Sequence, residues 1–102
     1  MTAQTYTAQL SGEAAGEALS ALCVLAKTKA GREEINGLLG DRLSLHGAAR
    51  SDKPKVRKNA YRLMGALEDR RDLPVLRAAL EKEETLFAVP SLLLALGRLG
   101  DE

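Results

Sequence analysis

Few residues of this 102-residue chain could support acid–base or nucleophilic chemistry. The chain has one histidine, His46, and one cysteine, Cys23. The helical neighbours of His46 at i−4 and i+4 are Arg42 and Arg50, whereas a metal site or a general base needs carboxylates or further ligands nearby. Cys23 falls in an apolar helical stripe, where a free thiol behaves as a small hydrophobic group. We therefore predict a protein that is not an enzyme, with no catalytic residue, no metal ligand and no cofactor.

Basic residues concentrate in the middle of the chain. Positions 50–77 carry nine basic and four acidic side chains, a local charge of +5 (9 − 4), although the whole chain has a net charge of only +1. Lys55, Lys58 and Arg62 follow at i, i+3 and i+7, which places them on one face of a helix. This row is a candidate polyanion-binding site, because each phosphate contact adds salt-dependent affinity. The simpler interpretation is that these three side chains only form a solvent-exposed outer face. Proteins that bind nucleic acids usually stack bases on aromatic side chains, and this chain has only two Tyr and one Phe.

The composition predicts an all-α fold. Leu and Ala contribute 19 and 16 residues, whereas Val, Ile, Phe, Tyr and Trp, which strands favour, contribute eight together. A chain of this length encloses one core.

A single cysteine allows no intrachain disulfide, and no apolar run approaches the roughly 20 residues that cross a bilayer. We expect a cytoplasmic protein that does not bind membranes.

Helical segments can be placed from periodicity and capping residues. Two helix starts are predicted by D-x-P sequences, Asp52-Lys53-Pro54 and Asp72-Leu73-Pro74. In each, we expect the Asp side chain to accept hydrogen bonds from the unpaired backbone N–H groups of the first helical turn. Ser11 is a further candidate N-cap, and Gly40 and Asp41 are expected to separate two shorter helical stretches, 32–39 and 43–50. The predicted buried stripes have matching spacing: Ala15, Leu19, Leu22, Cys23 and Ala26, and then Val56, Ala60, Leu63, Met64 and Leu67.

An internal repeat organises the second half of the chain. A shift of 32 residues aligns positions 63–69 with 95–101 and brings Gly65 onto Gly97. A glycine inside a helix is destabilising, so we expect a neighbouring helix to approach closely there. Pro90 predicts a kink or a late helix start near residues 88–90.

The best repeat resembles a HEAT-like repeat. The resemblance rests on three segments: Lys53-Pro-Lys-Val-Arg-Lys-Asn-Ala60, Leu63-Met-Gly-Ala-Leu-Glu-Asp69 and Leu73-Pro-Val-Leu-Arg-Ala-Ala-Leu80. The resemblance implies a short α-solenoid of antiparallel helix pairs, with about five helices and a right-handed stack. We expect a mobile lead-in at 1–10 and one helical-repeat domain at 11–102, divided into a degenerate first repeat (11–50), the best repeat (51–82) and an incomplete repeat (83–102).

A second resemblance concerns the stretch from Gly37 to Phe87. With S-D-x-P-K-V-R-K-N-A and E-E-T-L-F inside it, this stretch is similar to the N-terminal repeat region of bacterial RNA methyltransferase-like chains. None of that enzyme's own motifs is present. The resemblance implies a supporting role in holding RNA, without catalysis in this part of the chain.

These patterns predict a non-catalytic protein-interaction or scaffold module, since solenoids offer extended surfaces. The alternative is an RNA-binding appendage of a linked or partner RNA methyltransferase. Within the module we expect Arg57 to brace a neighbouring repeat through an acid such as Asp72. Glu81, Glu83 and Glu84 are expected to be solvated in a turn.

The last predicted helix has Leu residues around more than one face. Terminal repeats normally present a polar outer face, so Leu92, Leu94 and Leu96 are the candidate apolar face for a partner. Gly100-Asp101-Glu102 matches the point where the preceding repeat enters its second helix. We expect this face to be covered by another protein, by a missing C-terminal part of a longer chain or by a second copy.

Overall fold

The computed structural model describes residues 2–100, and every regular element in that range is helical. The α-helices are α1 (Ala3–Thr7), α2 (Ala15–Leu25), α3 (Lys29–Leu39), α4 (Leu43–Ala48), α5 (Pro54–Leu67), α6 (Leu73–Lys82) and α7 (Val89–Arg98). A 3-10 turn, Arg70–Asp72, leads into α6. The all-α prediction is confirmed, although residues 2–100 form seven α-helices rather than about five.

Helix α1 forms in a segment where the local sequence predicts no helix. In the segment expected to be a mobile lead-in, the structure has α1, whose Ala3 is buried with the following Leu10, because both pack into the main core. The expected break between α3 and α4 extends to Arg42, which adopts a left-handed backbone conformation with φ of +65°. Ser11 is not an N-cap, since turns around Gly12 precede α2, which begins only at Ala15.

Several predicted helix boundaries agree with the structure. Gly40 ends α3 with a positive φ of +57°, a conformation that glycine adopts without a steric penalty. Asp41 then accepts a hydrogen bond from the backbone N–H of Leu43 at the start of α4. Pro54 and Pro90 lie in the first turns of α5 and α7, where the absent N–H leaves no helix bond unmade. The predicted late start near residues 88–90 is therefore confirmed.

Helix α5 is the centre of the molecule. It packs against α2 and α7, and α3 and α4 contact it as well. The predicted stripe of α5 is fully buried, and that of α2 is buried apart from the half-buried Cys23. A Cβ atom at Gly65 would lie 3.0 Å from Ala95 Cα, so α5 and α7 approach each other along their backbones. Nothing approaches within 4 Å of the corresponding position at Gly97, so the expected close approach exists only at the first glycine.

The two D-x-P aspartates do not cap helices with their side chains. The N-cap of α5 is Lys53, and Asp52 is exposed. Asp72 precedes α6 but is fully buried, because its carboxylate faces a guanidinium from a distant segment. The prolines are therefore sufficient to mark these helix starts. No helix within residues 2–100 is long and apolar enough to cross a membrane.

Candidate functional site

A cleft of about 500 Å³ lies over α5, bounded by α2 and the start of α3 on one side and by α7 on the other. We call it the α5 cleft. Its apolar surface comes from small side chains and one leucine: Cys23, Ala26, Ala66, Leu94 and Ala95. Its charged groups are Lys27, Arg32, Arg62, Arg98 and Glu68. Four cations therefore face one carboxylate around a partly apolar floor.

The cations of the α5 cleft come from different elements and differ in how they are held. Arg32 donates from Nη1 to the Ala26 carbonyl at 3.1 Å, at the C-terminal end of α2. Arg62 donates from Nη1 to Asn59 Oδ1 at 3.1 Å and is otherwise exposed. Within residues 2–100, Lys27 and Arg98 have no carboxylate partner, and both are exposed. Three positive side chains are thus available to a bound anion.

The apolar floor exists because the residues along this part of α5 are small. Gly65 lets α7 approach closely, and Ala66 and Ala95 leave space above the contact. Leu94 is 64% exposed and forms the α7 wall.

Cys23 lies in the α5 cleft but is poorly suited to nucleophilic chemistry. Burial raises the pKa of its thiol, and the nearby positive charge of Arg62 lowers that pKa by a smaller amount. Its Sγ lies 4.0 Å from the Asn59 carbonyl oxygen. Because the thiolate is the reactive form, a raised pKa keeps Cys23 protonated near neutral pH.

The structure divides the predicted basic row. Arg62 lines the α5 cleft, whereas Lys55 and Lys58 are not among its lining residues. The Nζ atom of Lys58 lies 6.0 Å from the centre of the Phe87 ring, at the outer limit of a cation–π contact. Lys27, Arg32 and Arg98, which join Arg62, belong to other elements, and helical spacing within one segment could not have grouped them.

The predicted apolar face on α7 needs correction. Leu92 is 0% exposed and Leu96 is buried, because they lie one turn apart on the side of α7 that packs into the core. Leu94 alone of the three is exposed, and its neighbour Leu93 is exposed as well. Gly100 is described, but Asp101 and Glu102 of the predicted repeat ending lie outside the described residues.

A buried ion pair lies away from the α5 cleft, between α4 and α6. Arg42 donates to both carboxylate oxygens of Asp72, and its Nη1 donates to Asn36 Oδ1 at 2.8 Å. His46 Nε2 lies 2.8 Å from Asp72 Oδ1. This group of residues joins the start of α4 to the start of α6. His46 is half-buried.

A second polar group connects α5 with α6. Arg57 donates from Nε and Nη2 to Glu83 at 2.9 and 3.0 Å, and the Tyr61 hydroxyl donates to Glu83 Oε1 at 2.7 Å. The hydrogen bonds from Arg57 are the main cause that lowers the pKa of Glu83 to about 2, while burial and Glu83 raise the pKa of Tyr61. Arg57 pairs with an acid as expected, but that acid is Glu83 and not Asp72, since Arg42 occupies the Asp72 carboxylate. Glu83 is not solvated either, because its side chain is 1% exposed.

No group of His, Cys, Asp and Glu that could hold a metal ion occurs within the described part of the chain. No protein-family model, curated protein or solved structure matches this chain significantly. The HEAT-like and methyltransferase-associated resemblances therefore stay predictions that rest on the sequence motifs.

Proposed function

We propose that this chain is a HEAT-like α-solenoid segment that acts as a non-catalytic protein-interaction module, with the α5 cleft as its binding surface. The observation that carries the proposal is the lining of that cleft, where an exposed Leu94 and small apolar residues lie beside exposed cations. Interfaces commonly combine an apolar centre with charged residues at the rim.

The packing of the helices supports the solenoid part of the proposal. In a HEAT-like array the first helices of successive pairs lie side by side, and α5 packs against both α2 and α7. At the aligned Gly65, α7 approaches α5 closely enough that a Cβ atom would lie 3.0 Å from Ala95 Cα. A repeat needs such a small residue wherever its neighbour stacks directly on its backbone.

The chemistry of the lining supports binding rather than catalysis. Cys23 has a raised pKa, and Glu68 is exposed, so the α5 cleft pairs no nucleophile with a general base among its lining residues. Its only lining aromatic residue, Tyr61, is buried and donates its hydroxyl hydrogen to Glu83, so it offers no face for a nucleobase. An apolar floor with cations suits a polypeptide better than an RNA strand.

Photo-crosslinking tests the proposal directly. The photoreactive residue p-benzoylphenylalanine is introduced in place of Leu94 in the native cells, and adducts are analysed by mass spectrometry. A matched variant carries the same residue in place of Leu80, an exposed leucine of α6 outside the α5 cleft. We expect a discrete protein adduct from position 94 that position 80 does not give. Identical adducts from both positions, or none from either, would contradict the proposal.

The RNA-binding alternative has one observation in its favour. Arg62 of the predicted basic row is joined in the α5 cleft by Lys27 and Arg98, so three exposed cations could meet phosphates. The same crosslinking experiment addresses it. An adduct at position 94 that is destroyed by ribonuclease and contains no second protein would support the RNA-binding appendage instead.

A further inference from the structure

We infer that the α5 cleft receives an acidic amphipathic segment of a partner protein, with its carboxylates on Lys27, Arg62 and Arg98 and its apolar side chains on Leu94 and Ala66. This inference rests on the proposed function and goes beyond it by naming the chemistry of the partner. No residue of the chain itself fills the cleft within positions 2–100.

Charge complementarity selects an acidic partner. Four basic side chains and one acidic side chain line the α5 cleft, a local charge of +3 (4 − 1), whereas the whole chain carries +1. Lys27 and Arg98 have no ion-pair partner in the described range, and both lie at helix ends: Lys27 follows α2, and Arg98 ends α7. A segment with several carboxylates would satisfy cations on both walls at once.

The apolar floor selects an amphipathic partner over a purely ionic one. Leu94 and Ala66 offer apolar surface between the cations, and a polyanion without apolar groups would leave that surface in water. An amphipathic helix laid in a groove buries its apolar face and keeps its charged face outside. The protein measures 33 × 29 × 21 Å, so a helix of about 18 residues, roughly 27 Å long, spans one face.

Fluorescence anisotropy with a defined probe tests the inference. The probe is a fluorescein-labelled peptide of about 18 residues, with Leu and Ala on one helical face and Glu on the other. Three comparison probes are a copy with Gln in place of every Glu, a poly-glutamate peptide of the same length, and a uridine homopolymer RNA of about 15 nucleotides. We expect the acidic amphipathic peptide to bind tightest, since it alone matches both the cations and the apolar floor.

Charge reversal locates the binding site. The variant Lys27→Glu/Arg62→Glu/Arg98→Glu should bind the acidic amphipathic peptide at least about tenfold more weakly, because each attraction becomes a repulsion. Arg32 is left unchanged, since its hydrogen bond to Ala26 supports the end of α2. The matched control Arg50→Glu/Lys53→Glu/Lys55→Glu changes the net charge equally at exposed positions outside the cleft, and should lose less than about twofold.

Each result of this experiment decides the inference. Equal binding of the Gln copy, tighter binding of the RNA, binding of no probe, or equal losses in the two triple variants would overturn it. If the triple cleft variant unfolds, Arg62→Glu alone should show the same direction of change, and no change there is contrary evidence. The proposed function is judged separately: a protein adduct at position 94 whose crosslinked segment is neutral or basic would retain the interaction module and remove the acidic partner.

Discussion

The carboxylate of Asp72 accepts two hydrogen bonds from the guanidinium of Arg42, 2.8 Å from Nε and 2.5 Å from Nη2. Both side chains are completely buried, and thirty residues separate them along the chain. Arg42 adopts a left-handed backbone conformation that non-glycine residues rarely take. The paired side chains thus connect the N-cap of α4, Arg42, to the N-cap of α6, Asp72.

Removing the carboxylate should destabilise the fold strongly. Asp72→Ala is expected to lower the free energy of unfolding by about 3–5 kcal/mol, because it leaves a buried guanidinium without its partner. Asp52→Ala is the matched control, since Asp52 occupies the same place in the other D-x-P sequence but is exposed, and its effect should stay within about 0.5 kcal/mol. Urea denaturation measures both. If both variants lost the same free energy of unfolding, the loss in Asp72→Ala would not come from the buried ion pair with Arg42.

The two aligned glycines should respond oppositely to alanine. Gly65→Ala is expected to destabilise by about 1–3 kcal/mol, since the new Cβ would lie 3.0 Å from Ala95 Cα. Gly97→Ala is expected to stabilise by about 0.5–1 kcal/mol, because its Cβ meets no atom within 4 Å and alanine favours the helix. Thermal and urea unfolding provide the comparison. A gain of stability from Gly65→Ala would be inconsistent with the close approach of α7.

Adjacent leucines of α7 should differ in their contribution to stability. Leu92→Ala is expected to cost about 2–5 kcal/mol, because Leu92 is completely buried and its removal leaves a cavity. Leu93→Ala should change stability by less than about 0.5 kcal/mol, since Leu93 is 52% exposed. The two unfolding free energies are compared under identical conditions. Similar losses would mean that α7 is rotated about its axis relative to the structure.

Stability should fall in acid partly through Glu83. Its pKa in the folded protein is about 2, below the ordinary value of 4.5, so its ionised form is favoured by folding. The resulting stabilisation is complete above pH 4.5 and is lost as the pH falls from about 4.5 to about 2. Glu83→Gln should therefore show a weaker decline of the free energy of unfolding across this interval, with the exposed Glu81→Gln as control. A decline as steep as that of the unchanged protein would contradict the role of Glu83.

Local patterns were sufficient to predict the helices that carry the core. The α5 stripe, the glycine after α3 and the proline in the first turn of α7 each follow from backbone rules that act over a few residues. Helix α1 has no such pattern, because its sequence is polar and its burial depends on the α2 and α3 surfaces. Sequence spacing therefore predicted the periodic helices and missed the one that tertiary packing stabilises.

Ion pairs and the candidate site could not be predicted in the same way. Arg42, Arg57 and the acids near them are all plausible partners in sequence, and only the tertiary structure assigns Asp72 to Arg42 and Glu83 to Arg57. The α5 cleft likewise combines Arg62 with Lys27 and Arg98 from separate elements. Helical spacing found Arg62 but grouped it with two lysines of its own helix.

Arg57 connects three segments that lie apart in the sequence. It donates to the Ser51 carbonyl at 2.9 Å, to the Glu83 carboxylate and to Thr85 Oγ1 at 3.1 Å, so one guanidinium joins the segment before α5, the end of α6 and the loop toward α7. In a simple array of helical repeats the last repeat can open without its predecessors. Here residues 83–85 cannot detach without breaking the hydrogen bonds from Arg57, in the first turn of α5, to Glu83 and Thr85. We therefore expect amides in these two regions to exchange their hydrogens through one shared opening rather than separately.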